Sequence, residues 1–358
     1  MKQDKNSQDS IGSDRSPAVR LRRTVEPPVI NPAIDGEPLV LVVGKGIVER
    51  RIDKYLHHRI GGYSRVMLQE IIKAGGITVN GKPVTKQSYK LKDGERIEMT
   101  APPPPSREIT PEDIPLNVIY EDDDIIIINK AAGMLVHPAR GNRHGTLVNA
   151  LSFYSDKLSS GLGEFRPGVV HRLDKNTTGV IVITKNEKAQ WKIAKQFERR
   201  QTYKEYLAIV HGTPRLKNDR IVAPLGMHPR IRERYAVRSY AGKEAITFYQ
   251  IAEEFRGFSL MRLFPKTGRT HQIRVHMSYI KHPIVADDWY GGKLVYLWQL
   301  KNEKPAIEDP ILKRTALHAY KLGFTHPSTG EKVEFVAPLA PDMQHFLDLL
   351  RKYRKKSE

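Results

Sequence analysis

The sequence of 358 residues contains no cysteine. A disulfide framework and any metal site built on thiolate ligands are therefore excluded. The zinc deaminases that act on nucleobases are excluded as well, because their signature needs a pair of cysteines. The same absence excludes every enzyme that attacks a pyrimidine ring with a cysteine thiolate.

Long apolar runs are also missing. The sequence has no stretch of about 18 apolar residues, which is the length that a helix needs to cross a bilayer. Its first residues lack the apolar segment that is typical of a secretory signal. We therefore expect no membrane partner and a cytoplasmic location.

Acidic residues are few relative to basic ones, with 40 Asp and Glu against 59 Lys and Arg and a net charge of +19. Residues 1–38 hold as many acidic as basic side chains, so the surplus lies in the part of the chain that is expected to fold. From residue 50 to residue 107, twelve basic and five acidic residues give a net charge of +7. A basic folded surface attracts a polyanion, which favours a nucleic acid as the partner.

Composition divides the chain into five segments. Residues 1–38 are rich in Ser, Asp, Arg and Pro and are predicted to be a disordered tail. Residues 39–101 are predicted to form a small compact unit, and the proline-rich residues 102–106 a stiff linker. Residues 107–350 are predicted to form the larger domain, which a basic tail at 351–358 follows.

Local patterns predict the elements of these segments. In the small unit, the spacing of apolar residues predicts two helices, followed by two short strands that a tight turn at Asn80 and Gly81 joins. Ser64 is predicted to cap the second helix, and Asn186 to cap a basic helix in the larger domain. Several β-branched runs predict strands that mix with a few helices. This pattern indicates an α+β fold with a mixed, mostly antiparallel central sheet.

One segment combines the signals of buried strands with a single carboxylate. An apolar stretch ends at Val170, Asp174 follows in a polar turn, and the chain resumes as the β-branched run 180–183. The pattern predicts that Asp174 lies at the mouth between two buried strands, with Arg172 nearby. A carboxylate in that position serves as a nucleophile or a base, and an adjacent cation keeps it ionised. The alternative is a turn aspartate that bonds its own backbone.

Two later segments carry residue types that suit an RNA site. Tyr206 lies in a strand-like run, where it is either a core tyrosine or a ring that stacks on a flipped base. A further segment presents Arg269, His271 and Arg274 between small or apolar residues. One of its arginines is expected to reach Asp174 and to pair with it as a fork. The histidines of this segment are not spaced as metal ligands, so we expect no metal site.

These motifs resemble those of the RNA pseudouridine synthases of the RluA and RluD type. The run His-Arg-Leu-Asp at 171–174, with Thr-Thr-Gly at 177–179, is similar to the catalytic motif of that family. The run at 268–276 is similar to its late motif, and the resemblance extends over about residues 50–343. Residues 50–99 resemble the α-L RNA-binding domain that occurs in a small-subunit ribosomal protein and in the RluD-type enzymes.

The resemblance implies a pseudouridine synthase fold in which Asp174 is the catalytic nucleophile. It also implies that Arg274 pairs with Asp174 and that Tyr206 stacks on the target uracil. Arg172 is then expected to enter the gap that the flipped nucleotide leaves. The further residues that we expect to bind the substrate are Arg269 and His271.

The implied reaction converts specific uridines of RNA to pseudouridine, an isomerisation that needs no metal ion and no cofactor. The RluD-like layout favours large-subunit ribosomal RNA over transfer RNA as the substrate, and we expect a monomer. The sequence leaves open whether Asp174 attacks the sugar or the uracil ring.

Two other functions remain open from the residues alone. A pure RNA-binding protein would keep the small basic unit but would not need Asp174 or Arg274. A hydrolase that cleaves RNA or removes a base would use Asp174 with His171 as an acid–base pair.

Overall fold

The computed structural model describes residues 38–46, 49–100, 109–139, 142–155, 158–159, 167–305 and 307–356. The chain divides into two compact units between Ser106 and Arg107, and each unit has a hydrophobic core of its own. The predicted tail 1–38, apart from its last residue, and the predicted linker 102–106 lie outside the described residues. No helix of the described segments combines the length and the apolar character that a membrane span needs.

The elements of the N-terminal unit are β1 (Leu39–Val42), α1 (Ile52–Arg59), α2 (Arg65–Lys73), β2 (Ile77–Val79), β3 (Lys82–Pro83) and β4 (Arg96–Met99). The four strands form an antiparallel sheet in the order β1-β4-β2-β3. The apolar faces of both helices and of the sheet share one core. The predicted cap of α2 is confirmed, because the Ser64 hydroxyl accepts a hydrogen bond from the backbone N–H of Met67.

A buried carboxylate joins the two helices of this unit. Asp53, in the first turn of α1, accepts hydrogen bonds from the side chains of Arg51, Arg65 and Gln69. Burial acts to raise the pKa of Asp53, but these hydrogen bonds and the charge of Arg51 outweigh it and hold the pKa well below its usual range. The carboxylate therefore stays charged and fixes the two helices against each other.

The elements of the C-terminal unit are β5 (Val118–Glu121), β6 (Ile125–Lys130), α3 (Leu147–Tyr154), β7 (Thr178–Thr184), α4 (Glu187–Glu198), β8 (Tyr203–His211), β9 (Asn218–Val222), β10 (Leu225–Met227), β11 (Tyr235–Val237), β12 (Ile246–Phe255), β13 (Phe258–Pro265), α5 (Gln272–Tyr279), α6 (Leu297–Lys301), β14 (Leu317–Thr325), β15 (Lys332–Val336) and α7 (Pro341–Tyr353). The predicted cap of α4 is confirmed, because Asn186 accepts a hydrogen bond from the backbone of Ala189. The helix α7 extends past residue 350, so the predicted basic tail 351–358 begins inside a helix.

Most of these strands form one large sheet in the order β5-β6-β7-β14-β8-β13-β12-β9, with β15 paired to β14. Strands β10 and β11 form a separate two-stranded ribbon. Among the described strands of the large sheet, β7 and β14 alone pair in parallel. The prediction of an α+β fold with a mixed, mostly antiparallel sheet is confirmed.

Two apolar clusters stabilise the large sheet. One gathers buried side chains of β6, β7 and α3, and the other gathers those of β8, β13, α5 and α7. Tyr206 on β8 packs against both clusters, so its ring lies where the two cores meet. The centre of the sheet is therefore the place where side chains from both halves of the unit come together.

The segment before Asp174 is not a strand, and in this respect the prediction was wrong. Val169 makes a single bridge to Ile183, and the chain around it runs in a turn. The reason is Gly168, whose φ of +69° bends the chain. Its carbonyl accepts hydrogen bonds from the backbone and the hydroxyl of Thr184, and the pairing with β7 does not continue beyond this one bridge. Asp174 thus lies between a short bridge and β7.

Glycine also controls the other side of this turn. Gly179 in β7 has φ of +111°, and a Cβ at this position would lie 2.1 Å from the carbonyl oxygen of Ala319 in β14. Only glycine lets the two strands approach so closely. As a result the turn that carries Asp174 enters the sheet at its centre, beside β14 and close to β8.

Candidate active site

All six residues that the sequence analysis singled out line one cavity of about 580 Å³ at the centre of the large sheet. They are Arg172, Asp174, Tyr206, Arg269, His271 and Arg274. They come from the turn before β7, from β8, from the loop that leads into α5 and from the first turn of α5. The carboxylates among the residues that line the cavity are Asp174 and Glu198.

The turn that carries Asp174 is held by two buried cations. Lys130, at the end of β6, donates hydrogen bonds from its ammonium group to the carbonyl oxygens of Ala131, Met134 and Lys175. Arg314 donates from Nη1 to the carbonyl oxygen of Asn176. Lys175 and Asn176 directly follow Asp174, so both cations fix the backbone on which the carboxylate is mounted.

The two anchors differ in their own charge environment. Burial lowers the pKa of Lys130 to about 7, although the charge of Asp174 acts in the opposite direction. Arg314 forms a two-pronged pair with Asp342 in the first turn of α7, with distances of 2.7 Å for both prongs. The C-terminal helix is therefore connected to the turn of Asp174 through a single guanidinium.

Arg274 is the cation that contacts the Asp174 side chain. Its Nη1 lies 3.3 Å from Oδ2 of Asp174, whose side chain is 22% exposed. The fork that we expected on Asp174 is formed with Asp287 instead, at 2.7 Å from Nε and 2.8 Å from Nη2. Asp287 is fully buried, so its carboxylate fixes the plane of the guanidinium and leaves one edge for Asp174.

Electrostatics keep Arg274 charged. Burial acts to lower the pKa of Arg274, but the hydrogen bonds and charge of Asp287, together with the charge of Asp174, raise it above its usual value. The guanidinium also lies over the ring of Tyr290, 5.0 Å from its centre. Arg274 is therefore a permanent cation with one orientation, and that orientation places a donor on Asp174.

His271 also lies near the Asp174 carboxylate. It adopts a left-handed backbone conformation, with φ of 55°, at the start of α5. Its Nδ1 is 2.7 Å from the hydroxyl of Tyr290, and its Nε2 is 3.9 Å from Oδ2 of Asp174. Burial lowers the pKa of His271 even though Asp174 acts to raise it. The ring is thus a neutral, oriented wall of the cavity at neutral pH.

Tyr206 places its ring in the cavity from β8. No hydrogen bond reaches its hydroxyl within the described residues. Burial raises the pKa of Tyr206, and the charge of Asp174 raises it further. The phenol therefore stays protonated, and its flat face and free hydroxyl are both available to a substrate.

Of the two remaining arginines, Arg269 is held by a hydrogen bond and Arg172, within the described residues, is not. Arg172 is exposed at the edge of the cavity, and no hydrogen bond or ion pair holds its side chain in the described part of the chain. Arg269 donates from Nε to the carbonyl oxygen of Glu244 at 3.1 Å. The first arginine is free to follow a ligand, whereas the second is fixed against the neighbouring loop.

His171 does not form an acid–base pair with Asp174. Its Nε2 accepts a hydrogen bond from the backbone N–H of Val182, and its ring stacks on Phe197 at 4.5 Å. Burial lowers the pKa of His171 to about 3, and the charge of Lys204 adds to the effect. The ring is therefore neutral and already engaged, which argues against the hydrolase that the sequence left open.

Three residues of this site had no predicted role, namely Lys130, Asp287 and Arg314. The signal for Lys130 was a lone charge two residues after a run of isoleucines, and that for Asp287 was a carboxylate directly after the apolar run 284–286. Both are charges attached to buried segments, which proteins tolerate only when the charge is paired or hydrogen-bonded. Arg314 carries no comparable local signal.

A possible set of metal ligands lies outside the cavity. Oxygen and nitrogen atoms of Asp122, Asp124 and His326 lie within 4.8 Å of one another. Asp122 accepts hydrogen bonds from the backbone of Asp124 and Ile125 and contacts His326 Nε2 at 2.9 Å. The other ring nitrogen of His326 accepts from the backbone of Ser328 and Thr329. These contacts account for the cluster as a hydrogen-bonded turn.

Comparisons with known proteins find matches to both compact units of the chain. Residues 124–279 match the family model described as RNA pseudouridylate synthase, and residues 50–97 match the S4 domain. An uncharacterised RNA pseudouridine synthase of Chlorobaculum parvum is 42% identical over 320 residues, which cover 87% of this chain and 98% of that protein. The ribosomal large subunit pseudouridine synthase D of Xanthomonas campestris is 40% identical over 315 residues, covering 87% and 92% respectively.

A solved structure has the same fold at lower identity. The human RNA pseudouridylate synthase domain containing 4 aligns with a TM-score of 0.52 and 24% identity, covering 68% of this chain and 95% of that one. The relatives at about 40% identity, which span nearly their full length, carry the stronger argument. The chain therefore belongs to the RNA pseudouridine synthases, isomerases that act on RNA, and carries an S4 domain in its N-terminal part.

Proposed function

We propose that this protein converts uridines of large-subunit ribosomal RNA to pseudouridine, with Asp174 as the nucleophile. The observation that carries the proposal is the position of the Asp174 carboxylate, which opens to the cavity while Arg274 holds it at 3.3 Å. The substrate class is supported by several relatives at about 40% identity that are named ribosomal large subunit pseudouridine synthase D.

The reaction exchanges one bond for another within the same nucleotide. Asp174 attacks the nucleotide at the sugar or at the uracil ring, and the bond between N1 of uracil and C1′ of ribose breaks. The base turns, a bond forms between C5 and C1′, and the bond between Asp174 and the nucleotide breaks, which releases the carboxylate. C5 then loses its hydrogen to solvent while N1 gains a proton. Because nothing is oxidised or hydrolysed, the exchange itself requires no metal ion and no cofactor.

The other residues of the cavity position the base during this exchange. The ring of Tyr206 provides a flat surface on which a flipped uracil stacks. Arg172 is exposed and unrestrained, so it can enter the space that the flipped nucleotide leaves in the RNA. Arg269 and His271 complete the wall of the cavity and contact the substrate. All these side chains come from one chain, so a monomer suffices for the site. The proposed place of action is the cytoplasm.

Release of tritium from RNA labelled at C5 of uridine tests the reaction. Asp174→Asn should leave the fold intact and lower the rate about 10⁴-fold or more, because no other group replaces a nucleophile. Asp288→Asn is the matched control, since Asp288 is exposed and does not line the cavity. An Asp174→Asn enzyme that works within tenfold of the parent would remove Asp174 from the mechanism.

Products separate the competing functions. An isomerase releases the C5 hydrogen, a hydrolase releases free base or broken strands, and a binding protein releases neither. Mapping of pseudouridines in RNA from a deletion strain, complemented with the parent or with Asp174→Asn, then identifies the substrate. Sites that are lost from transfer RNA instead of large-subunit ribosomal RNA would contradict the substrate while leaving the isomerase in place.

A further inference from the structure

One wall of the cavity is made of cations that have few partners. Lys204, Lys266, Arg200 and Arg269 all line the same cavity as Asp174. Arg200 pairs with Glu244 at 2.8 Å, and Arg269 bonds the carbonyl oxygen of the same residue. Within the described residues, the ammonium groups of Lys204 and Lys266 have neither a hydrogen bond nor an ion pair.

The position of Lys204 follows from the strand that carries it. Lys204 and Tyr206 are two residues apart on β8, so their side chains lie on the same face, about 7 Å apart along the strand. Glu205 between them points to the opposite face, where it pairs with Arg262 at 2.7 Å. Lys204 therefore reaches into the cavity about 7 Å from the ring on which the base is proposed to stack. This separation is similar to the distance between a base and the neighbouring backbone of its nucleotide.

The local charge around Lys204 is unfavourable for a cation. Burial lowers the pKa of Lys204, and the charges of Lys266 and Arg200 lower it further. Of the two carboxylates that line the cavity, Asp174 contacts Arg274, and Glu198 forms no ion pair with Lys204. A half-buried ammonium group among other cations costs free energy unless an anion occupies the space between them.

We propose that Lys204 and Lys266 form a subsite for the RNA backbone phosphate next to the target uridine. The inference rests on the proposed function, because it places the base on Tyr206 and derives the phosphate position from that. The ammonium groups then offer several N–H donors to the phosphate oxygens, and the anion relieves the repulsion between Lys204, Lys266 and Arg200.

The direct test combines a neutral lysine substitute with a neutral phosphate substitute. Short RNA substrates carry a methylphosphonate, which has no charge, at the phosphate on either side of the target uridine. We expect Lys204→Gln to raise KM about tenfold while kcat changes little, because the contact acts equally in the ground and transition states. The methylphosphonate at one of the two positions should cost the parent enzyme a similar factor.

The decisive result is the combination of the two changes. If Lys204 binds that phosphate, the methylphosphonate should have little further effect on Lys204→Gln. The proposal would be overturned if the increases in KM from Lys204→Gln and from the methylphosphonate multiply at both phosphate positions. Lys321→Gln is the matched control, since it removes the same charge from the neighbouring strand outside the cavity, and its losses should multiply with those of the methylphosphonate.

Two further variants keep the test conclusive. Lys204→Arg retains the charge and should keep KM within about threefold of the parent. Lys266 is exposed, so Lys266→Gln should leave the fold intact, and the same non-additivity is expected with it. Failure of the proposed function is distinguishable, because the parent enzyme would then release no tritium from the unmodified RNA.

Discussion

The replacement Arg274→Lys keeps the positive charge of the site but removes the planar fork of the guanidinium. Arg274 makes three charge-assisted hydrogen bonds, two to the buried carboxylate of Asp287 and one to Asp174. A lysine at this position presents one point of charge on a flexible chain and cannot serve both carboxylates in the same geometry. At least one carboxylate therefore loses its restraint.

The size of the effect follows from the number of bonds that are lost. A hydrogen bond to a charged group contributes about 1.5–3 kcal/mol, and Asp287 loses at least one such bond while it remains buried. We expect the free energy of unfolding to fall by about 2–4 kcal/mol. Loss of a fixed donor on Asp174 should add about 3 kcal/mol to the barrier, which corresponds to a rate loss of roughly 100-fold or more.

The measurements are urea unfolding and tritium release at a temperature where both proteins are folded. Arg269→Lys is the matched control, because Arg269 lines the same cavity but bonds only a backbone carbonyl. It should change stability by less than about 1 kcal/mol and activity by less than the Arg274 variant does. If Arg274→Lys equals Arg269→Lys in both measurements, the fixed guanidinium has no role in holding Asp174.

Three more predictions address other parts of the molecule. Tyr206→Phe should keep RNA affinity but lose most turnover. Tyr206→Ala should also bind RNA more weakly, because it loses a stacking interaction of about 1–3 kcal/mol. Full activity of the Phe variant would show that the ring acts through stacking alone. Deletion of residues 1–106 should weaken RNA binding and reduce the slope of log affinity against log salt by about 0.7–0.9 for each lost phosphate contact. Deletion of residues 1–38, which carry no net charge, should change neither the affinity nor the slope. Equal slopes for both deletions would contradict the role of the basic S4 unit in RNA binding. In the folded protein, burial lowers the pKa of His171 to about 3, whereas an unfolded histidine has a pKa of about 6.5. Between these two pH values the unfolded chain binds one more proton, so the free energy of unfolding should fall as the pH is lowered, by up to about 1.4 kcal/mol per pH unit. Urea titrations of the parent and of His171→Asn should show a flatter pH dependence in the variant.

Local signals in the sequence were sufficient for most helices and strands. Ser64 and Asn186 were recognisable as caps because the bonds they make are to backbone groups three residues away. The mostly antiparallel sheet was also predictable from the succession of strands. The strand expected before Asp174 failed because Gly168 turns toward Thr184, a contact between residues 16 positions apart that apolar patterning does not report.

The candidate site shows the same limit. The sequence motifs identified residues that the fold brings into one cavity, and the contact between Arg274 and Asp174 spans 100 residues. The partner of the Arg274 fork could not be read from the sequence, because the apolar run 284–286 marks Asp287 as a charge on a buried segment but does not say which cation pairs with it. Arg314 was missed for a related reason. Its role depends on its proximity in space to the carbonyl oxygen of Asn176, 138 residues earlier in the chain. A backbone carbonyl accepts from any donor, so the sequence around Asn176 does not indicate an arginine partner.

The bond between Arg314 and Asp342 makes the rigidity of the Asp174 turn depend on a helix that is synthesised much later. The turn with Asp174 leaves the ribosome about half a chain earlier than α7, which provides the carboxylate that fixes Arg314. A nascent chain that ends before residue 342 therefore holds its Asp174 turn with Lys130 and with an Arg314 guanidinium that lacks its carboxylate partner. Translation must proceed through the last helix before the Asp174 turn acquires its final rigidity.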